Sequence, residues 1–148
     1  MNKILDHLPY KSSFRFVDNI LAIDENGVTG EYTLRPDAFF YEDHFPGNPV
    51  TPGVIVTEIM AQIGVVVLGI YFLLQSQQEG EKVDQVYPLL TSSEVSFFKM
   101  VLPGQKVTVI SKKEYFRFSK LKCYIEMYDE QQELVARGMF AGMIRKLG

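Results

Sequence analysis

The sequence predicts an α+β protein in which a curved antiparallel β-sheet wraps around one long central α-helix. Three observations predict it. The stretch from Val54 to Leu74 is apolar on nearly all sides, so protein must surround it. Segments on either side alternate apolar with polar residues, or are rich in aromatic and β-branched side chains, as strands are. Turn residues between neighbouring segments close them into hairpins, which makes the sheet antiparallel. A single sheet covers only one side of such a helix, and a second copy of the chain is the economical cover for the rest.

The elements follow in order. Leu5 to Tyr10 reads as a short turn or helix stopped by Pro9. Phe16 to Asp24, aromatic and β-branched, is the first strand. Glu25-Asn26-Gly27 is its turn, since Asn-Gly is the strongest short hairpin signal. Val28 to Leu34 is the second strand, ended by Pro36, and Asp37 to Asp43 reads as one helical turn. Between His44 and Gly53, Pro46, Pro49 and Pro52 fix φ and withhold donors, which excludes regular helix or central strand. The helix runs from about Gly53 to Gln75, with a proline favoured at its start. Gln75 to Gln85 is polar, contains Gly80, and reads as a surface loop. Strands follow over Tyr87 to Val101, Lys106 to Phe118, Leu121 to Tyr128 and Leu134 to Arg145. Their turns fall at Pro103-Gly104, near Ser119, and from Asp129 to Glu133.

The 148 residues fit one domain, 1–148. With 47% hydrophobic and 22% charged residues, the chain is composed like a globular protein and unlike a disordered one. A net charge of −3 argues against nucleic acid as the main partner. The lone cysteine, Cys123, precludes an intrachain disulfide, sits within a strand, and reads as packing. A reducing, cytoplasmic setting without a secretory signal is the expectation. Val54 to Leu74 is long enough to cross a bilayer. Glu58 and Gln62 near its start, and flanks without Lys or Arg, make it a buried helix instead of a membrane span.

The stiff loop and the helix start carry the chemistry. His44 is one of two histidines, and imidazole exchanges a proton near neutrality. Glu58 is the only carboxylate between Asp43 and Glu79, and apolar surroundings raise a carboxyl pKa. A histidine base with a protonated glutamic acid suits the removal of water from a β-hydroxy carbonyl compound. Free N–H groups at the helix start near Gly53 are suited to an enolate-like oxygen. By residue type alone, the same two residues also fit an ordinary loop histidine and an interface glutamate. His7 and His44 are far apart and no ligand spacing occurs, so no metal is expected. No Gly-rich phosphate loop or nucleophile elbow is present in the sequence, and no organic cofactor is expected.

The run His44-Phe45-Pro46-Gly47-Asn48-Pro49-Val50-Thr51-Pro52-Gly53-Val54, with Glu58 and Met60-Ala61-Gln62, closely resembles the signature of FabZ-type 3-hydroxyacyl-acyl-carrier-protein dehydratases. Leu8-Pro9, Phe14-Arg15-Phe16-Val17-Asp18 and Val101-Leu102-Pro103-Gly104 agree with it. The resemblance implies a hotdog fold, a homodimer or higher homo-oligomer, and sites shared between two subunits. It implies that His44 is the base at C2, that Glu58 of the partner is the acid or water-positioning group at C3, and that the Gly53 N–H meets the thioester carbonyl. Phe45, Pro52, Val54 and Gln62 are its further substrate-binding positions. The implied substrate is a 3-hydroxyacyl-phosphopantetheine on acyl carrier protein, converted to the trans-2-enoyl thioester in fatty acid or specialised lipid and polyene biosynthesis.

Two positions depart from the pattern. Ser96-Phe97-Phe98-Lys99-Met100 stands where the family often carries arginines, and Thr51 stands where it usually has methionine. Both bear on carrier docking and acyl-chain preference. Docking on a basic patch that includes Lys99 is the expectation. The alternatives are a hotdog acyl thioesterase and a non-catalytic partner subunit of a dehydratase complex. Retention of both His44 and Glu58 argues against the last.

Overall fold

The structure, a computed structural model, describes residues 1–76 and 86–146. A short helix α1 (Asn2–Asp6) and a single 3₁₀ turn (Ser12–Phe14) precede strands β1 (Asn19–Asp24) and β2 (Gly27–Thr33). The central helix α2 (Gly53–Ser76) follows, then β3 (Val86–Phe97), β4 (Lys106–Arg117), β5 (Lys120–Tyr128) and β6 (Leu134–Lys146). The surface loop expected up to Gln85 lies, from residue 77 onward, outside the described residues.

The strands form one six-stranded antiparallel sheet in the order β1-β2-β4-β5-β6-β3. Strand alternation explains which way it faces. Along β5, Leu121, Cys123, Ile125 and Met127 are fully buried beneath the helix, while the intervening side chains are turned outward. Burial pushes the Cys123 thiol up to about 11, so it packs as a protonated thiol and does not act as a nucleophile.

Helix α2 fills the concave side, and every residue from Ile59 to Ile70 is buried. Two glycines set how closely it approaches the sheet. A Cβ on Gly64 would run into the Ile125 side chain, and one on Gly69 would come within 2.6 Å of Ile144 Cδ1. Ser111 Oγ donates to the Gly64 carbonyl at 2.9 Å, which satisfies a buried hydroxyl. The helix is long and apolar enough to cross a membrane, but 78% of its most apolar window is buried inside this protein, as in a core helix.

The first helix covers Asn2–Asp6 and not Leu5 to Tyr10, and three further boundaries that bear on the site differ from the sequence reading. Strand β1 begins at Asn19 and not at Phe16, because the Phe16 N–H is committed to the Gln62 side chain. Asp37 to Asp43 forms successive turns instead of a regular helical turn, pinned by Tyr41 N–H to the Ala38 carbonyl and His44 N–H to the Phe40 carbonyl. β3 stops at Phe97, after which Phe98 N–H bonds the Val135 carbonyl and the chain turns towards the helix start.

Candidate active site

His44 is held by a loop knotted on itself. Its N–H bonds the Phe40 carbonyl at 3.1 Å, its carbonyl accepts from Val50 N–H at 2.9 Å, and Phe45 and Asn48 exchange backbone bonds. Gly47 supplies the left-handed conformation (φ 73°) that the reversal requires. The His44 ring stacks on Phe45 with centroids 4.0 Å apart. His44 Nδ1 lies 2.8 Å from the Val50 carbonyl oxygen. A carbonyl only accepts, so Nδ1 carries the proton and Nε2 keeps its lone pair for a base's work.

The loop leads into the helix through Thr51 and Pro52. Thr51 N–H bonds the Val101 carbonyl at 2.9 Å, which ties the loop to the segment after β3. The buried Thr51 hydroxyl is 2.6 Å from the Tyr41 phenol, so the family's usual apolar side chain is replaced here by a satisfied polar pair. Pro52 caps α2, and its carbonyl accepts from the Ile55 and Val56 N–H groups. The N–H groups of Gly53 and Val54 find no acceptor among the described residues. A Cβ on Gly53 would lie 3.5 Å from the Phe97 ring. Val54 is 76% exposed, unusual for an aliphatic residue at the start of a core helix.

Glu58 is half-buried on the next turn of the helix. Burial raises its carboxyl above the usual range, and a hydrogen bond from Gln62 pulls the other way. That bond, Gln62 Nε2 to Glu58 Oε2, is 2.8 Å long and follows from the i,i+4 spacing on one helical face. Gln62 has no exposed surface. Its Nε2 also donates to the Phe14 carbonyl at 2.8 Å, and its Oε1 accepts from Phe16 N–H at 2.8 Å. Gln62 is therefore enclosed, and what it touches is Glu58 and the N-terminal segment. It opens a wide π-type turn, Gln62–Val66, in the middle of α2.

The two titratable groups do not meet within one chain. Glu58 lines a cleft between α2 and the β3–β6 edge, with Tyr10, Ala61, Val65 and Leu89 among its walls, and His44 is not part of that cleft. Some of the exposed apolar side chains fall on the elements that carry these two residues. Phe45, Val54, Leu89, Leu90, Phe97 and Phe98 are each about half or more exposed, along the loop, the helix start and the free edge strand β3. The expected docking base at Lys99 is corrected: its Nζ is bridged by the carboxylates of Asp129 and Glu133. The Lys99 hydrogen bond, with the Glu133 and Gln131 N–H groups behind it, holds the Asp129 carboxyl below its ordinary range, and the Lys99 charge is already engaged by two carboxylates of its own chain.

A family model described as the FabA-like domain matches residues 8–131. The chain belongs to the FabA-like family. Members with similar sequences include the 3-hydroxyacyl-[acyl-carrier-protein] dehydratase FabZ of Caldicellulosiruptor saccharolyticus, 33% identical over 85% of this chain and 88% of that protein. The FabZ of Syntrophobacter fumaroxidans is 32% identical over 88% of this chain and 84% of that one. Among solved structures, the dehydratase heterocomplex ApeI:P from Xenorhabdus doucetiae superimposes with a TM-score of 0.79 over 97% of this chain and 91% of that one, at 13% identity. The shared architecture is the hotdog fold of the FabA-like family, with the helix wrapped by the sheet as expected from the sequence.

Sequence reasoning missed Tyr10 as a wall of the Glu58 cleft. It lies 48 positions from Glu58, and neither periodicity nor motif spacing links the two. The double anchoring of Gln62 was equally hidden, because its partners Phe14 and Phe16 are backbone groups of a distant segment.

Proposed function

We propose that this chain dehydrates 3-hydroxyacyl thioesters on acyl carrier protein to trans-2-enoyl thioesters, with each site built from two copies of the chain. The observation that carries this reading is a division of labour between two groups. His44 has Nδ1 anchored, in a loop that runs on into a helix start where the N–H groups of Gly53 and Val54 find no acceptor among the described residues, and Glu58 sits as a raised-pKa acid in a cleft whose other described side chains, Tyr10 apart, are apolar. Relatives over most of the chain's length bear the FabZ dehydratase name.

In this mechanism His44 Nε2 takes the C2 proton, and the thioester oxygen gains charge facing the Gly53 N–H. The C2–H pair becomes the C2=C3 bond as the C3–O bond breaks. Glu58 of the second copy gives its proton to the departing oxygen, and water leaves. The protons balance with one base and one acid, and the phosphopantetheine arm belongs to the carrier. Support for the second copy comes from β3. It is a 12-residue strand whose outer edge pairs with no other strand among the described residues, with Leu89, Leu90 and Phe97 exposed. Such an edge invites pairing with its own copy. Phe45, Pro52 and Val54 then face the thioester end, while Gln62 acts on substrate only through Glu58.

The test is the purified protein with a 3-hydroxyacyl carrier substrate. Enoyl thioester formation supports the reading; free acid and thiol would make it a thioesterase instead. One variant follows directly from the Gln62 geometry. Gln62→Met removes the hydrogen bond that favours the Glu58 carboxylate, so the Glu58 pKa rises further. A general acid is lost as pH climbs through its pKa, so the alkaline limb of the kcat profile moves to higher pH. The same change orphans the Phe14 carbonyl and the Phe16 N–H, costing on the order of 1–3 kcal/mol for each group. A pH–rate profile and a urea titration measure the two effects.

A further inference from the structure

Among the described residues, Tyr10 and Glu58 are the only ones with polar side-chain atoms in the lining of the cleft between α2 and the β3–β6 edge; the remaining walls include Ala61, Val65, Leu89 and Gly142. Glu58 Oε2 is engaged by Gln62, while Oε1 and the Tyr10 hydroxyl make no hydrogen bond among the described residues. The phenol is half-buried, and its pKa is pushed up, first by burial and second by the charge of Glu58. The two groups line the same cleft, yet no hydrogen bond joins them. Across any working pH the phenol keeps its proton and remains a neutral donor. Its ring leans on Phe14 with centroids 6.0 Å apart, and that contact does not involve the hydroxyl.

A groove in which a carboxyl and a phenol are the only polar side-chain groups among the described residues is arranged to receive an oxygen on an otherwise apolar chain. We propose that Tyr10 is a further catalytic residue, whose hydroxyl donates a hydrogen bond to the C3 oxygen of the substrate beside Glu58. This rests on the dehydratase reading. As the C3–O bond breaks, its electron pair moves onto oxygen before the Glu58 proton has fully arrived. A fixed donor in a low-dielectric groove stabilises that oxygen more than it stabilises the neutral hydroxyl of the bound substrate. The effect therefore falls on kcat. The proton inventory is unchanged: C2 loses its proton to His44, oxygen gains one from Glu58, and Tyr10 keeps its own.

Tyr10→Phe keeps the ring and its packing on Phe14 and deletes only the hydroxyl. On the 3-hydroxyacyl carrier substrate the expected result is a kcat lower by about 10–100-fold, with KM within about twofold. Hydration of the enoyl thioester slows in the same variant, its kcat/KM falling by the same factor as that of dehydration, because the overall equilibrium does not change. The melting temperature stays at the wild-type value. A Tyr10→Phe protein with wild-type kcat overturns the proposal, as does a loss confined to KM or one accompanied by a lower melting temperature. A wild-type protein that forms no enoyl product counts against the dehydratase reading itself, and that control is run before any variant is compared.

Discussion

His44→Ala and Glu58→Gln each lower turnover on a 3-hydroxyacyl carrier substrate by about 10²–10⁴-fold, the range that a positioned acid or base contributes. Neither change dismantles the fold. The His44 ring is half-buried and makes one side-chain hydrogen bond, to the Val50 carbonyl; the loop is otherwise held by backbone bonds that alanine retains. Glu58→Gln keeps the shape of the side chain and its neighbour Gln62. Its stability effect has a definite sign. Because burial raises the folded-state pKa of Glu58 above its unfolded value, the wild-type protein loses stability as pH rises through the folded pKa. The glutamine variant lacks that loss. Thermal melts near pH 8 should therefore show Glu58→Gln at least as stable as wild type, while its turnover stays at the lowered value. Circular dichroism and an enoyl-forming assay on the same samples separate a chemical loss from an unfolded one.

The second large effect concerns the free edge of β3. An isologous pairing of this strand with its own copy places the middle of the strand on the two-fold axis. Thr91 and Ser93 lie near that middle and are exposed. Thr91→Glu with Ser93→Glu sets like charges against each other across the axis, which disfavours pairing. The expected outcome is a monomer by light scattering whose turnover has fallen about 100-fold, although His44 and Glu58 are untouched. A variant that stays dimeric and active would move the interface away from β3.

The central helix was legible because nothing else accommodates so long an apolar run with Glu58 and Gln62 near its start. The Asn26-Gly27 hairpin and the alternation of β5 were legible because they are local, with periods and turn residues that read directly from the chain. The loop from His44 to Pro52 was legible through its prolines. The start of β1 was not, since Phe16 looks like a strand residue until the Gln62 side chain takes its N–H. The strand order was also hidden. β3 pairs with β6 and not with its neighbour β4, and that choice is made by packing over long sequence separations. Lys99 looked like a free base because its carboxylate partners arrive from a turn about 30 residues later. What was lost at each of these positions is a long-range hydrogen bond or ion pair, which leaves no periodic trace.

The proposed site takes His44 from one copy and Glu58 from the other. Mixing purified His44→Ala with Glu58→Gln under conditions that exchange subunits tests it most directly. Random reassortment makes half of the dimers mixed, and each mixed dimer carries one intact site, so activity should return to about a quarter of wild type. Mixed dimers that form, by mass, yet remain as inactive as either parent would contradict the claim.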